Sequence, residues 1–327
     1  LHRLLQKRYG LEIHTLETLR ATNKSRVYRL ATNKGRFIAK QLFIPEQRQQ
    51  FILAAEAHLR GRSVAIPATL PTISGSDYVM WRGFPLVLQR YIDAKAYFLS
   101  SNSNLARVAG LLGRMHAESV GFAPPSGETY NGARSWEQEY REDLAAIRRW
   151  QRRHQHSANP KIRAILRAIP FFLRAGELAQ MRMNASPFFA EWKKRPVTQH
   201  GLVHGDFHMG NVLRGRGALT VIDWEDVRFD FPSKDLTRLF FVLMRRDGGW
   251  KLKRIRTLLA SYLQKHPLKK EEKALLYQDL AFPHIFERFL RKKSYASMTA
   301  HRVHRFLRGE RRKTAYMLRQ MKRLGPI

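Results

Sequence analysis

The chain has no cysteine, which removes disulfides, thiolate zinc sites and cysteine nucleophiles from consideration. Acidic residues are scarce: 26 Asp and Glu stand against 60 Lys and Arg, a formal net charge of +34. No apolar run approaches the roughly 20 residues that a membrane-spanning helix needs. The opening Leu1-His2-Arg3-Leu4-Leu5-Gln6-Lys7-Arg8 is too polar for the core of a secretory signal, so synthesis in the cytoplasm is the expectation. Internal repeats and low-complexity linkers are also lacking. What is present is a 327-residue chain, 44% hydrophobic and 11% aromatic, long enough for two lobes and apolar enough to fold. Its positive excess gathers toward the C-terminus, where Arg245–Ile327 hold 23 basic and 6 acidic residues. Such a field attracts polyanions (nucleic acid, anionic lipid, cell-wall polymer or acidic protein) without choosing among them.

Local signals divide the chain in two. Residues 2–9 read as a short helix stopped by Gly10. Strand-like runs follow at 12–19, 25–30 and 36–43, the last two joined by the turn Thr32-Asn33-Lys34-Gly35. Pro45-Glu46 opens a helix to about Arg60, and 79–81 and 85–91 read as two more strands. This predicts a small antiparallel β lobe with one helix over residues 1–92. Residues 93–327 form a larger, mainly helical lobe, which makes the whole an α+β, bilobal chain. Leu105, Val108, Leu112 and Met115 keep the helical period, as do Trp136, Tyr140, Leu144 and Ile147. Ser135-Trp136-Glu137-Gln138 resembles a capping box, and the basic helical stretch 148–195 is interrupted by Pro160, Pro170 and Pro187.

The chemistry concentrates at His204-Gly205-Asp206-Phe207-His208-Met209-Gly210-Asn211, followed by Thr220-Val221-Ile222-Asp223-Trp224-Glu225. A loop of the form H-x-D-x-x-x-x-N, then a hairpin and an apolar strand ending in Asp, is how a kinase-type site is written. Asp206 is placed to orient an attacking hydroxyl and accept its proton. Asn211 and Asp223 supply hard oxygen ligands of the kind Mg²⁺ prefers. His204 and His208 suit bracing of the loop. Read as an i, i+4 metal pair they fit poorly, because Gly205 and Gly210 favour a loop over a zinc-binding helix. Upstream, Phe37-Ile38-Ala39-Lys40 is close to the V-A-I-K strand that sets a lysine on nucleotide phosphates, with Glu56 on the next helix as its expected ion-pair partner. Ala21-Thr22-Asn23-Lys24-Ser25-Arg26 stands where a phosphate-covering loop belongs but lacks G-x-G-x-x-G. It is either a phosphate contact through Thr22, Asn23 and Ser25 or a plain turn. Gln89 and Tyr91 lie on either an interlobe strand whose backbone pairs with adenine or a core strand. Asp235 is expected to cap the helix it begins and to tie the catalytic loop down. Asp230 reads as a turn residue.

Together these residues resemble the aminoglycoside phosphotransferase/choline kinase-like superfamily. His204-Gly205-Asp206, His208 and Gly210-Asn211 match its H-G-D-x-H-x-G-N loop. Val221-Ile222-Asp223-Trp224-Glu225 and Pro232 with Asp235-Leu236 are similar to its downstream signature. The Tyr28 to Lys40 hairpin, the Trp136 helix and Phe282-Pro283-His284 are most similar to the CotS-type spore coat kinase-like proteins. The resemblance implies a protein-kinase-like bilobal fold, ATP and Mg²⁺ as cofactors, and a hydroxyl-bearing acceptor. It further implies a sporulation role with placement in the spore coat and coat proteins as partners. Basic residues in the helical lobe would suit an anionic acceptor better than a polycationic aminoglycoside.

Two readings stand beside the kinase. One is a kinase-fold structural or adaptor protein of the spore coat with weak or no catalysis. The other is nucleic-acid binding by the C-terminal basic helices, through Arg302, Arg305, Arg308, Arg311, Arg312 and Lys313, against plain solvated helix faces.

Overall fold

Helix α1 (His2–Tyr9) ends where Gly10 turns left-handed, φ 59°, and returns its N–H to the Gln6 carbonyl. In the computed structural model, which describes residues 1–125, 129–215 and 218–324, three antiparallel strands follow: β1 (Ile13–Ala21), β2 (Ser25–Thr32) and β3 (Gly35–Leu42). The β2–β3 register brings Thr32 opposite Gly35 and Val27 opposite Lys40. Helix α2 (Glu46–Gly61), β4 (Val79–Trp81) and β5 (Phe84–Arg90) complete a five-stranded sheet in the order β1-β2-β3-β5-β4. Strand pleating then sorts the side chains. Leu30, Phe37, Ala39, Leu86 and Leu88 pack with Leu5 and Tyr9 of α1 in one core. Lys40, Val87 and Gln89 therefore emerge on the opposite face.

Beyond β6 (Lys95–Ala96), the chain becomes helical: α3 (Asn102–Ser119), α4 (Trp136–His154), α5 (Pro160–Asn184) and α6 (Pro187–Lys194). Pro160 and Pro187 begin helices, each after a capping side chain, Asn159 or Ser186. Pro170 was expected to interrupt, but α5 runs through it. Ile169 and Phe172 on either side are fully buried, and that packing outweighs a lost helix hydrogen bond costing about 3 kcal/mol. The expected capping box at Ser135 is not formed either. Its hydroxyl bonds Gly132 O and Glu139 instead.

Strand β7 (Leu202–Val203) leads to the hairpin β8 (Val212–Arg214) and β9 (Leu219–Val221), and β6 pairs with β8. Strand β10 (Arg228–Phe229) pairs back on β7. Helices α7 (Ser233–Arg246), α8 (Leu252–Lys265), α9 (Lys270–Ala281), α10 (His284–Arg291) and α11 (Ala300–Arg323) finish the chain. Helices α3 and α8 meet closely at Gly113, where an added Cβ would lie 2.5 Å from the Tyr262 carbonyl oxygen. No helix among the described residues is long and apolar enough to cross a membrane.

Two compact units result. One comprises Leu1–Phe98, Phe122–Thr129 and Met209–Val227; the other comprises Leu99–Gly121, Tyr130–His208 and Arg228–Ile327. The β8–β9 hairpin thus belongs with the five-stranded sheet, while the Asp206 loop belongs with the helices.

Candidate active site

In the sheet unit, the strand ending at Val221 releases its chain into a turn that only a few residue types tolerate. Ile222 donates its N–H to the Asn211 carbonyl at 3.0 Å. Asp223 then adopts φ 67°, ψ 59°, left-handed backbone that costs most L-residues about 1–2 kcal/mol and that Asp accepts more readily. The turn continues into a short 3₁₀ segment, Trp224–Asp226, pinned to α2 by Arg48, which donates to the Glu225 carbonyl at 2.6 Å. Asp223 and Glu225 consequently both face β3. The Lys40 ammonium is ion-paired with the Asp223 carboxylate and lies 2.6 Å from Glu225 Oε1. Burial acts to lower the Lys40 pKa, but the two carboxylates outweigh it and hold it above the ordinary lysine value.

The expected Lys40–Glu56 ion pair is not what forms. The Glu56 carboxylate receives the Gln89 amide, at 3.2 and 2.9 Å to its two oxygens, and lies 3.5 Å from Arg60 one turn along α2. Lys40 is drawn away because two carboxylates converge on it from the 223–225 turn. Burial pushes the Glu56 carboxyl up to about 7, against the opposing pull of Arg60, Lys40 and Gln89. Lys40, Gln49, Glu56, Gln89, Asp223 and Glu225 wall a cavity of about 20 Å³, room for about one water.

The backbone adenine contacts expected at Gln89 and Tyr91 also need correction. Gln89 lies inside β5, opposite Ile38 on one side and bridged to Thr69 on the other. The Tyr91 N–H already donates to the Arg36 carbonyl at 3.1 Å. In the 21–26 turn the Thr22 hydroxyl is likewise engaged locally, accepting from the Lys24 and Ser25 amides.

In the helical unit, the catalytic-motif loop is held from beneath by Asp235. This residue is the third of α7, not its cap. Its fully buried carboxylate accepts from the amides of His204 at 2.7 Å and Gly205 at 2.9 Å, and from His116 Nε2 at 3.1 Å. Burial alone would raise the Asp235 pKa, yet His116, His204 and these hydrogen bonds bring it below the ordinary aspartate value. His116 is in turn hydrogen-bonded to the Tyr262 hydroxyl. Gly205 takes φ 81°, and the Asp206 N–H donates to His204 Nδ1 at 3.2 Å. His204 is therefore a brace within the loop, accepting at Nδ1. Asp206 itself is one-third exposed, with Arg238 at 2.9 Å from one oxygen and His208 at 3.4 Å from the other. Asp230 is a buried acceptor for Trp136 Nε1 and Arg228 rather than a plain turn residue.

Two residues here escaped the sequence reading. Arg238 lies one helical turn after Asp235 on the same face of α7, a spacing that could have flagged it. Glu225 stands two residues after Asp223, and the pair of carboxylates was itself the signal.

Among the described residues no three His, Cys, Asp or Glu side chains converge as a metal site. Mg²⁺ asks less of a protein, since one or two carboxylates suffice when phosphates complete its shell. The hard oxygens of Asp223 and Glu225, with Asn211 joined to their turn through the Asn211–Ile222 hydrogen bond, fit that requirement.

The chain is 23% identical over 270 residues to spore coat protein S of Bacillus subtilis (strain 168), covering 81% of this chain and 76% of that protein. Among solved structures it superposes on an aminoglycoside phosphotransferase from Alicyclobacillus acidocaldarius with a TM-score of 0.78 at 14% identity, covering 99% of this chain and 97% of that one. An amicoumacin kinase solved with AMP-PNP, Ca²⁺ and its ligand gives a TM-score of 0.64 at 13% identity, covering 99% and 92%. Spectinomycin phosphotransferase, in complex with ADP and spectinomycin, gives 0.57 at 16% identity, covering 95% and 97%. The fold is thus the kinase-like one, with an antiparallel-sheet N-terminal lobe and a helical C-terminal lobe. The model of the phosphotransferase enzyme family matches residues 15–274, and the chain belongs to that family.

Proposed function

We propose that the protein transfers the γ-phosphate of ATP, with Mg²⁺, to a hydroxyl of an anionic acceptor. The observation that carries this reading is the convergence of Asp223 and Glu225 on Lys40, in a chain of this family. Mg²⁺ would neutralise charge on the β- and γ-phosphates, and Asn211 and Asp223 are the residues that would hold it. Lys40, kept cationic by its neighbours, would position phosphate oxygens. Glu56, bridged to Gln89, would keep the wall behind Lys40 in place. Because Gln89 and the Tyr91 amide are already engaged, the adenine edge is assigned to the residues that follow, Ile92–Ala94. Residues 1–92, with Ile92–Ala94 and the Met209–Val227 segment, then serve chiefly the nucleotide, and the rest of 93–327 the catalytic loop and acceptor. Neighbours solved with ADP or AMP-PNP support the choice of nucleotide.

Asp206 would orient the acceptor hydroxyl and receive its proton, with His204, His208 and Asp235 supporting the loop. Effective positioning matters more here than basicity, because the transition state is loose. Arg238 on the Asp206 carboxylate supports a negatively charged acceptor. Arg288 of α10 adds to it, its pKa lowered by partial burial and by repulsion from Arg238 and Arg291. A polycationic aminoglycoside would be repelled by the same groups. The likeness to spore coat protein S supports a role in sporulation, with coat proteins as neighbours and the coat as destination.

The test is a phosphorylation screen with labelled ATP over anionic metabolites and coat-protein extract, run beside Asp206→Ala. Label transfer lost in the variant is the expected result. Protein that neither binds nor hydrolyses Mg-ATP, with Asp206→Ala behaving identically, overturns the reading. The likeness to a coat protein also favours a second possibility, a scaffold of kinase fold. Full rescue of coat assembly by a folded Asp206→Asn/Asp223→Asn double variant would favour it.

A further inference from the structure

The basic C-terminal helix does not present its cations as one face. Lys313 is buried in α11 against Glu310 at 3.1 Å, so it is withdrawn from the polyanion surface that the sequence suggested. Arg305 donates toward His301 one turn back. Arg311, Arg312 and Arg319 do something else: with Phe171 of α5, Trp250 of the α7–α8 connection and Ala315 they line a cavity of about 420 Å³. It is a groove broadly open to solvent, of a size to take one nucleotide-sized group. None of the residues placed in the phosphotransfer machinery lines it.

The wall is built in a particular way. Arg311, Ala315 and Arg319 succeed one another at about one helical turn, so the small residue leaves room between two guanidinium groups. The Arg311 guanidinium lies 4.9 Å above the Phe171 ring, and Trp250 is braced against Tyr316 with centroids 5.3 Å apart. Three cations and two aromatic rings therefore share one concave surface whose lining holds no carboxylate. Phe171 packs on the helical core and carries Arg311 over its face, so Trp250 is the ring that a ligand would use. Acidic peptides and sulfated sugars would satisfy the charge but offer Trp250 nothing to stack on, whereas a nucleobase with its phosphate satisfies both.

We propose that this cleft binds a nucleobase together with its phosphate, from a free nucleotide or from a single strand. The site is separate from the phosphotransfer reading and stands or falls independently of it. The experiment is fluorescence anisotropy of the full chain with a labelled single-stranded oligothymidylate of about ten nucleotides, within the usual span of such sites. Unlabelled thymidine monophosphate and heparin serve as competitors. Trp250→Ala is expected to weaken binding roughly tenfold or more. The double variant Arg311→Gln/Arg319→Gln should flatten the salt dependence by about 1.4 log units per decade, two phosphate contacts on a single strand. Trp250→Phe, which keeps a ring, should retain most of the affinity and guards against misfolding of the alanine variant. ATP hydrolysis should be unchanged in all three. Competition by the mononucleotide identifies a free nucleotide as the ligand source, and its failure beside tight oligonucleotide binding identifies a strand. Heparin binding as well as the oligonucleotide, with Trp250→Ala without effect, would overturn the proposal and leave only a basic surface.

Discussion

Glu56→Gln offers the sharpest check of the buried charge behind Lys40. The Glu56 side chain is 5% exposed, and its carboxyl stands at about 7 against an ordinary 4.5. A raised folded-state value means that the folded protein holds this proton more tightly than the unfolded chain does. The contribution is complete below pH 4.5 and is lost as pH rises through about 7. At 1.36 kcal/mol per unit, the loss is about 3 kcal/mol by pH 8. Glutamine imitates the neutral acid, still accepts from Gln89, and never ionises. Parent and variant should therefore have equal urea midpoints at pH 4.5. At pH 8 the variant should be the more stable by about 1 M urea, for a denaturant slope near 3 kcal/mol/M. Comparing the two proteins at each pH cancels every other titrating group. A midpoint gap that does not change with pH, or a variant weaker than the parent at pH 8, would refute the reasoning.

Three further outcomes are expected. Lys40→Met leaves Asp223 and Glu225 facing each other and should cost about 1–2 kcal/mol; adding Asp223→Asn should restore part of it, a coupling that thermal melts of the single and double variants measure directly. Asp235→Asn removes one of the oxygens that hold His204, Gly205 and His116, and should lower stability by about 3 kcal/mol. Because the Asp235 pKa is lowered in the fold, its contribution is present above the ordinary aspartate value of 3.8 and lost as pH falls below it, so acid-limb unfolding curves of parent and variant should converge there. Gly113→Ala forces a methyl to 2.5 Å from the Tyr262 carbonyl and should cost about 2 kcal/mol, read as a drop in melting temperature, while Gly110→Ala one turn away, inside the same helix with only ordinary contacts at 3.6 Å and beyond, should raise it by the equivalent of about 0.5–1 kcal/mol.

Much of the fold was legible because local chemistry and tertiary packing agree. Gly10 stops α1, Thr32 to Gly35 makes the β2–β3 turn, and alternation in β3 separates Phe37 and Ala39 from Lys40. What was illegible depended on contacts distant in sequence. A lysine and a glutamate sixteen residues apart suggested a pair, but the choice of partner was made by the left-handed turn at Asp223, which aims two carboxylates at β3. Pro170 marked a break that buried neighbours override. The role of Gln89 followed from having β3 on one side and a bridge to Thr69 on the other, which no window of residues around it could report. Arg238 was readable in principle, one turn from Asp235, but its relevance appears only once Asp206 is seen beside it.

The partition of the chain also sets a timetable. Lys40 and Asp223 are 183 residues apart, yet both belong to the sheet unit, which needs the segment Met209–Val227 to be whole. On a ribosome adding about 5–20 residues per second, that segment follows Lys40 by roughly 10–40 s. During that interval β3 and α2 exist without the carboxylates that neutralise Lys40, and β6 without the hairpin it joins. The N-terminal portion is thus no transplantable cassette: expressed alone to residue 98, it would lack the acidic turn that closes around its own lysine.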